Sequence, residues 1–151
     1  MGIHQSELDK RMEHFRSGCI KAGLKLTQQR LEIFKALAAR DDHPDAEALF
    51  SSLRSHMPTL SLDTVYRTLW LLNDLGLINT LGPRRESIRF DANLRQHHHF
   101  VCLRCGLTRD FESDLLNELP IPEDAHAMGK VLASQVELRG ICDSCSQIEA
   151  L

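Results

Sequence analysis

The sequence predicts an α+β protein in two parts, a helical winged helix over residues 1–82 and a small mixed module over residues 92–151. Three observations predict it: apolar residues recur at helical spacing as far as Gly76, two short extended runs then flank Gly82-Pro83-Arg84-Arg85, and beyond about residue 92 strand-like runs alternate with two cysteine pairs. The flanking runs make a wing hairpin that extends to about residue 91. At 151 residues, 42% apolar and 26% charged, the chain is long enough for two modest cores and is not a disordered tail. Lys plus Arg number 18 against 21 for Asp plus Glu, a formal charge of −3, so no overall basic field points to nucleic acid. No apolar run approaches the roughly 20 residues that span a bilayer, and the opening MGIHQSELDK lacks a signal peptide's apolar core. A soluble, cytoplasmic protein with no membrane partner is expected.

Each element has a local cause. Leu8, Met12, Phe15 and Cys19 are spaced 4, 3, 4, the stripe of a helix capped by Ser6 and running toward Gly23, with Cys19 in the core. Thr27 caps a second helix carrying Leu31, Phe34 and Leu37, and Asp45, after Pro44, starts a third carrying Ala48, Leu49 and Leu53. Ser61 precedes a fourth, which ends at Gly76. In it Leu62, Val65, Leu69 and Leu72 share one arc of the helical wheel, so Arg67 points away from the core and Tyr66 lies on the flank. Trp70 falls off that arc, and burial against the hairpin or another helix is its default. Leu77–Leu81 and Ser87–Asp91 are the extended runs of the hairpin. Farther on, 98–103, 107–111 and 131–141 read as strands, with one helix over Ser113–Leu119 stopped by Pro120 and Pro122.

Four cysteines form Cys102-x-x-Cys105 and Cys142-x-x-Cys145, with Gly106 following the first pair as a tight knuckle requires. Without a signal peptide, this pair of pairs suits structural Zn²⁺ better than two disulfide or redox motifs. A second donor set contains no sulfur. An extended 97–102 puts His97 and His99 on one face and His98 on the other, and Asp110 and Asp91 can add carboxylate oxygens. Nitrogen and oxygen donors suit Fe²⁺ or Mn²⁺. His43, before Pro44, reads by itself as an exposed loop residue.

Between Lys10 and Lys35 seven basic residues face two acidic ones, a local excess that phosphate can use. The outward Arg67 and neighbouring Tyr66 fit a major groove, and Arg84 and Arg85 at the hairpin tip fit backbone phosphate. Two histidines with a carboxylate also occur in non-haem iron oxygenases. Here no substrate-shaped element such as a Gly-rich phosphate loop accompanies them, so an enzyme is not expected.

Five ordered segments, Ala22-Gly23-Leu24-Lys25-Leu26-Thr27-x-x-Arg30, His43-Pro44, Thr64-Val65-Tyr66-Arg67-Thr68-Leu69, Arg89-Phe90-Asp91 and His97-x-His99-x-x-Cys102-x-x-Cys105-Gly106, together resemble the ferric uptake regulator (Fur) family of metal-sensing repressors. The resemblance implies a homodimer whose winged helix reads a palindromic double-stranded operator and whose second domain dimerises. It implies structural zinc on Cys102, Cys105, Cys142 and Cys145, and a regulatory Fe²⁺ or Mn²⁺ on His43, Asp91, His97, His99 and Asp110. Tyr66 and Arg67 match the family's base-reading pair, and Lys25 matches a lysine that reaches the minor groove. Asp110, where iron-uptake members usually carry Glu, and the lack of a further histidine in Val131–Gln135 resemble the peroxide-responsive PerR branch. That branch implies oxidation of a ligand histidine, His43 or His97, when the iron form meets hydrogen peroxide. The alternative is a regulator of iron, manganese or zinc uptake that senses the metal itself.

Overall fold

In the computed structural model, which describes residues 3–81 and 88–149, the chain divides into two units, one up to Leu94 and one from Arg95 onward. In the first, α1 (Gln5–Ala22) buries Leu8, Met12, Phe15 and Cys19, the stripe read from the sequence. Burial pushes the Cys19 thiol above its ordinary pKa, against a smaller opposing effect of Arg30, which fits a packing role. The helix ends at Gly23 in the left-handed conformation (φ 68°), where the Gly23 and Leu24 amides close back on Ile20 and Cys19. Ser6 does not cap it. The cap position is His4, with no side-chain bond, because the Ile3 amide is tied to the Ala39 carbonyl (3.2 Å) and that tether sets where the chain enters the helix.

The other caps are local and form as expected. Thr27 accepts from the Arg30 amide at the start of α2 (Gln28–Ala38), Asp45 from the Ala48 amide at the start of α3 (Ala46–Leu53), and Ser61 from the Thr64 amide at the start of α4 (Leu62–Asp74). Phe15 stacks flat on Phe34, ring centroids 3.9 Å apart, joining α1 to α2. Val65, Leu69 and Leu72 of α4 enter the same core as Ile33, Leu37, Leu49 and Leu53, while Leu62 is only half-buried. Strands β1 (Asn79–Leu81) and β2 (Arg89–Asp91) pair antiparallel with Thr80 opposite Phe90, the wing of a winged helix. The tip with Arg84 and Arg85 lies outside the described residues. Trp70 remains 38% exposed and sets its edge on Phe90, centroids 5.8 Å apart, so the wing covers it only in part.

Gly18 marks where α1 and the approach to the wing touch, because a Cβ there would overlap Cδ2 of the buried Leu77. Gly18→Val is expected to destabilise the first unit by about 1–3 kcal/mol through overpacking. Thermal unfolding followed by helical circular dichroism checks this, at roughly 4–8 °C of Tm per kcal/mol.

The second unit is a three-stranded sheet in the order β4-β3-β5, with β3 (His98–Cys102) antiparallel to β4 (Thr108–Phe111) and parallel to β5 (Glu137–Gly140). Short helices α5 (Asp114–Asn117), α6 (Glu123–Met128) and α7 (Asp143–Glu149) complete it. Ser113 caps α5, which is one turn long and stops at Asn117 rather than Leu119. The strand expected over 131–141 forms only over 137–140. Ahead of it, the Gln135 side chain bonds to the His97 carbonyl and the Val136 amide to the His98 ring, holding that stretch outside the ladder. Among the described residues of this unit the buried apolar side chains are Cys102 and Cys142 alone; the rest of its interior is His97, His98, His99 and Thr108. So thin and polar a core does not hold itself together by area burial.

Candidate metal centres and nucleic-acid face

The knuckle after β3 places the first two thiols. Gly106 takes φ 77°, its amide returns to the Cys102 carbonyl (3.0 Å), and the Cys102 amide reaches the Leu107 carbonyl (2.8 Å). From the other side the Cys142 amide donates to Cys102 Sγ (3.3 Å), and Cys145 follows one turn into α7. The four sulfurs lie within 4.8 Å of one another, with Cys105 and Cys142 3.8 Å apart. Zn–S bonds of about 2.3 Å require tetrahedral edges of about 3.8 Å, so the donors fit zinc.

Their protonation leads to the same cation. Amide N–H groups of Cys105 and Cys142 stabilise the Cys102 thiolate and lower its pKa to about 6. The Cys145 thiol is pushed up to about 12, first by its hydrogen bond with Cys142, then by burial and by the neighbouring sulfurs. Packed thiols therefore resist losing all four protons together, and a divalent ion removes that penalty.

The nitrogen and oxygen donors are divided between the units. In the second, His99 and Asp110 are cross-strand partners on β3 and β4, with His99 Nε2 3.2 Å from Asp110 Oδ1. His97, two residues earlier and on the same face, presents Nε2 3.8 Å from Asp110 Oδ2, its ring edge-on to His99 at 4.9 Å. His97 Nδ1 lies 2.6 Å from the Arg95 carbonyl. A proton on Nδ1 satisfies that contact and leaves the Nε2 lone pair on the Asp110 side, the arrangement metal-ligating histidines commonly adopt. Two imidazoles on one buried edge of a carboxylate make a donor set suited to a divalent ion of the iron or manganese type.

In the first unit, His43 is buried rather than exposed as its loop position suggested, and its Nδ1 lies 3.8 Å from Asp91 Oδ1. The Asn93 amide donates to that same carboxylate oxygen (2.9 Å) and orients it. His43 also has φ 51°, a left-handed conformation costing about 1–3 kcal/mol for a residue other than glycine unless its surroundings hold it.

His98, between the two histidines that face Asp110, serves a different purpose. Its Nδ1 accepts from the Val136 amide (3.1 Å), so Nε2–H donates to Asn117 Oδ1 (2.8 Å), while the ring packs on Phe111. It is a fully buried core histidine that ties β3 to α5 and to the approach to β5. Sequence alternation put it on the opposite face, and only the fold supplies its partners, 19 and 38 residues away.

The nucleic-acid candidates are on the surface of the first unit. Arg67 projects from α4, paired with Asp63 one turn earlier (2.9 Å), both side chains 75% exposed. So exposed a pair is weak and readily released. Tyr66 beside it is 39% exposed, and Lys25 is exposed in the turn between α1 and α2, its carbonyl accepting from Arg30 (2.7 Å). A polar cleft of about 300 Å³ runs between the start of α2 and α4, lined in part by Thr27, Arg30, Thr64 and Arg67. Among the described residues no helix is long and apolar enough to cross a membrane.

Comparison with known proteins gives a consistent picture. The model of the ferric uptake regulator family matches residues 21–138. The peroxide-responsive repressor PerR of Staphylococcus aureus is 28% identical over 145 residues, covering 96% of this chain and 98% of its own. Among solved structures, the ferric uptake regulator Fur of Helicobacter pylori superposes with a TM-score of 0.69 at 24% identity, over 92% of this chain and 93% of that one, a likeness of fold. PerR of Streptococcus pyogenes superposes with a TM-score of 0.52 at 26% identity, over 96% and 95% of the two chains.

Proposed function

The chain belongs to the ferric uptake regulator family, and on that premise we propose that this metal-responsive regulator, which is not an enzyme, is a peroxide-sensing repressor that binds a palindromic operator as a homodimer. The reading assigns the regulatory Fe²⁺ or Mn²⁺ to His43 and Asp91 of the first unit together with His97, His99 and Asp110 of the second. It assigns structural zinc to the four paired cysteines, and operator contact to Lys25, Tyr66 and Arg67.

The observation that carries it is the Asp110 carboxylate facing the Nε2 atoms of His97 and His99, in a set with no sulfur. Without a thiolate among the donors, the group left to record an oxidant is an imidazole. Iron held there would supply one-electron chemistry toward hydrogen peroxide; in the net reaction one peroxide oxygen would end on the ring of His43 or His97 and the other would leave as water, a two-electron oxidation that makes the imidazole a poor ligand. His97 Nδ1 lies against the Arg95 carbonyl, and oxygen on the carbon between the two ring nitrogens would put a proton on Nε2 and remove the lone pair on the Asp110 side. Because the proposed ligands belong to both the DNA-reading unit and the unit with the sulfur cage, metal loading and DNA affinity are coupled.

The zinc-loaded protein, titrated separately with Fe²⁺, Mn²⁺ and further Zn²⁺ on a palindromic duplex selected in Mn²⁺, tests the reading. After a peroxide pulse the iron form is expected to lose at least tenfold in duplex affinity and to carry one added oxygen on a peptide containing His43 or His97. The manganese form keeps both its affinity and its mass. Undiminished binding by the iron form would favour the second reading, a metal-uptake regulator, supported by a solved manganese uptake regulator that is 28% identical with a TM-score of 0.62.

A further inference from the structure

His43 occupies a conformation that its own sequence disfavours. Its φ of 51° is left-handed, and a residue before proline is pushed toward extended backbone. Strand β2 supplies several of the bonds around it. Arg89 Nε donates to the His43 carbonyl (2.8 Å) and an Arg89 terminal nitrogen donates to the Asp42 carbonyl (2.8 Å), so the guanidinium forks across two consecutive peptides. The Phe90 amide holds the Pro44 carbonyl (3.0 Å), and Asp45 bridges to Arg89. On the far side of the loop, Arg40 grips the Asp42 carboxylate with two bonds of 2.9 and 2.7 Å. Arg89 and Asp91 are two residues apart on β2 and share a face. Strand β2 therefore supplies one donor directly, Asp91, and through Arg89 holds the loop that presents the other.

We propose that Arg89 is a positioning residue for the regulatory metal: it holds His43 in the left-handed conformation that keeps its imidazole beside Asp91. The inference rests on the assignment of His43 as a ligand and adds the group that makes that ligand available. On this proposal the effect of Arg89 on the metal passes through His43, and this separates it from a residue that merely braces the wing.

A double-substitution cycle on the full-length, zinc-loaded protein tests it, read as Mn²⁺ affinity by calorimetry or by the electron-spin signal of free Mn²⁺. Arg89→Ala is expected to weaken Mn²⁺ binding by about 10–100-fold, the usual effect of removing an outer-shell partner. In a His43→Ala background the same change is expected to cost less than about twofold. Arg89→Lys, which reaches one carbonyl at a time, falls between, and it carries the same comparison where Arg89→Ala fails to fold. An equal loss in both backgrounds overturns the proposal. A His43→Ala protein with undiminished Mn²⁺ affinity overturns instead the ligand assignment beneath it, so the two failures are told apart.

Discussion

Replacing Cys102 with serine is expected to unfold the second unit while α1 to α4 stay folded. The reason lies in what that unit has inside it. Among its described residues the buried apolar side chains are two of the cage cysteines themselves, and the other buried positions are three histidines and a threonine. The cage also ties the ends of the sheet. Cys102 closes β3, its sulfur accepts from the Cys142 amide just past β5, and the Leu103 amide returns to Gly140. Structural zinc in small domains supplies about 10–16 kcal/mol of folding free energy at pH 7, more than a typical small domain's whole stability of about 5–15 kcal/mol. Serine retains the size but not the soft thiolate, and Cys102 is the thiol most readily ionised. Amide exchange should therefore show protection lost from residue 98 onward and kept in Ile33, Leu49 and Leu69, with less than one zinc per chain. Acidification moves in the same direction. The Cys145 thiol, raised to about 12, must give up its proton to bind metal, so zinc affinity falls as pH falls. A second unit still protected without zinc would contradict this.

What the sequence revealed was what is decided within a few residues. Thr27, Asp45 and Ser61 cap their helices because the amides they serve are three positions away, and the Phe15 and Cys19 stripe follows from helical period alone. Ser6 failed as a cap because a tether to Ala39, more than thirty residues distant, determines how the chain enters α1. Helix α6 was missed because Pro122 was read only as a stop, whereas proline also suits the start of a helix, and here it is the cap of α6. Helix α7 was hidden by the cysteine motif from which it departs. At the candidate metal site, residue type and alternation were enough to pick out His97, His99 and Asp110, which the fold brings side by side. His43 looked like an exposed loop residue because the strand bonded to its loop, through Arg89, lies 46 positions away, and no local pattern announces that fork. His98 has the same lesson reversed, a histidine of apparent ligand type whose partners make it core.

Asp110→Ala is expected to weaken binding of the regulatory metal by about two orders of magnitude and to lower the operator affinity reached at saturating metal, without unfolding either unit. Asp110 is 23% exposed by its side chain, lies at the centre of β4, and sets its two oxygens 3.2 and 3.8 Å from the Nε2 atoms of His99 and His97. Its removal takes a carboxylate from that edge and leaves the two imidazoles, which still have their other contacts, including His97 to Arg95. A lost first ligand should cost at least the roughly 100-fold seen for the strongest outer-shell partners, or about 2.7 kcal/mol. Carrying a two-state protein from about 1% to about 99% of its DNA-binding form requires a preference of about 5.5 kcal/mol. Subtracting the first figure from the second leaves the binding-competent form near 50% even at saturating metal, by the same arithmetic. Two curves therefore move together: Mn²⁺ affinity falls by about two orders of magnitude, and the operator affinity reached at saturating Mn²⁺ also drops, while thermal unfolding and zinc content stay as in the parent. Lost Mn²⁺ affinity with an unchanged saturated operator affinity would mean that the ion binds at Asp110 yet does not choose between states, and the coupling proposed for this regulator would fall with it.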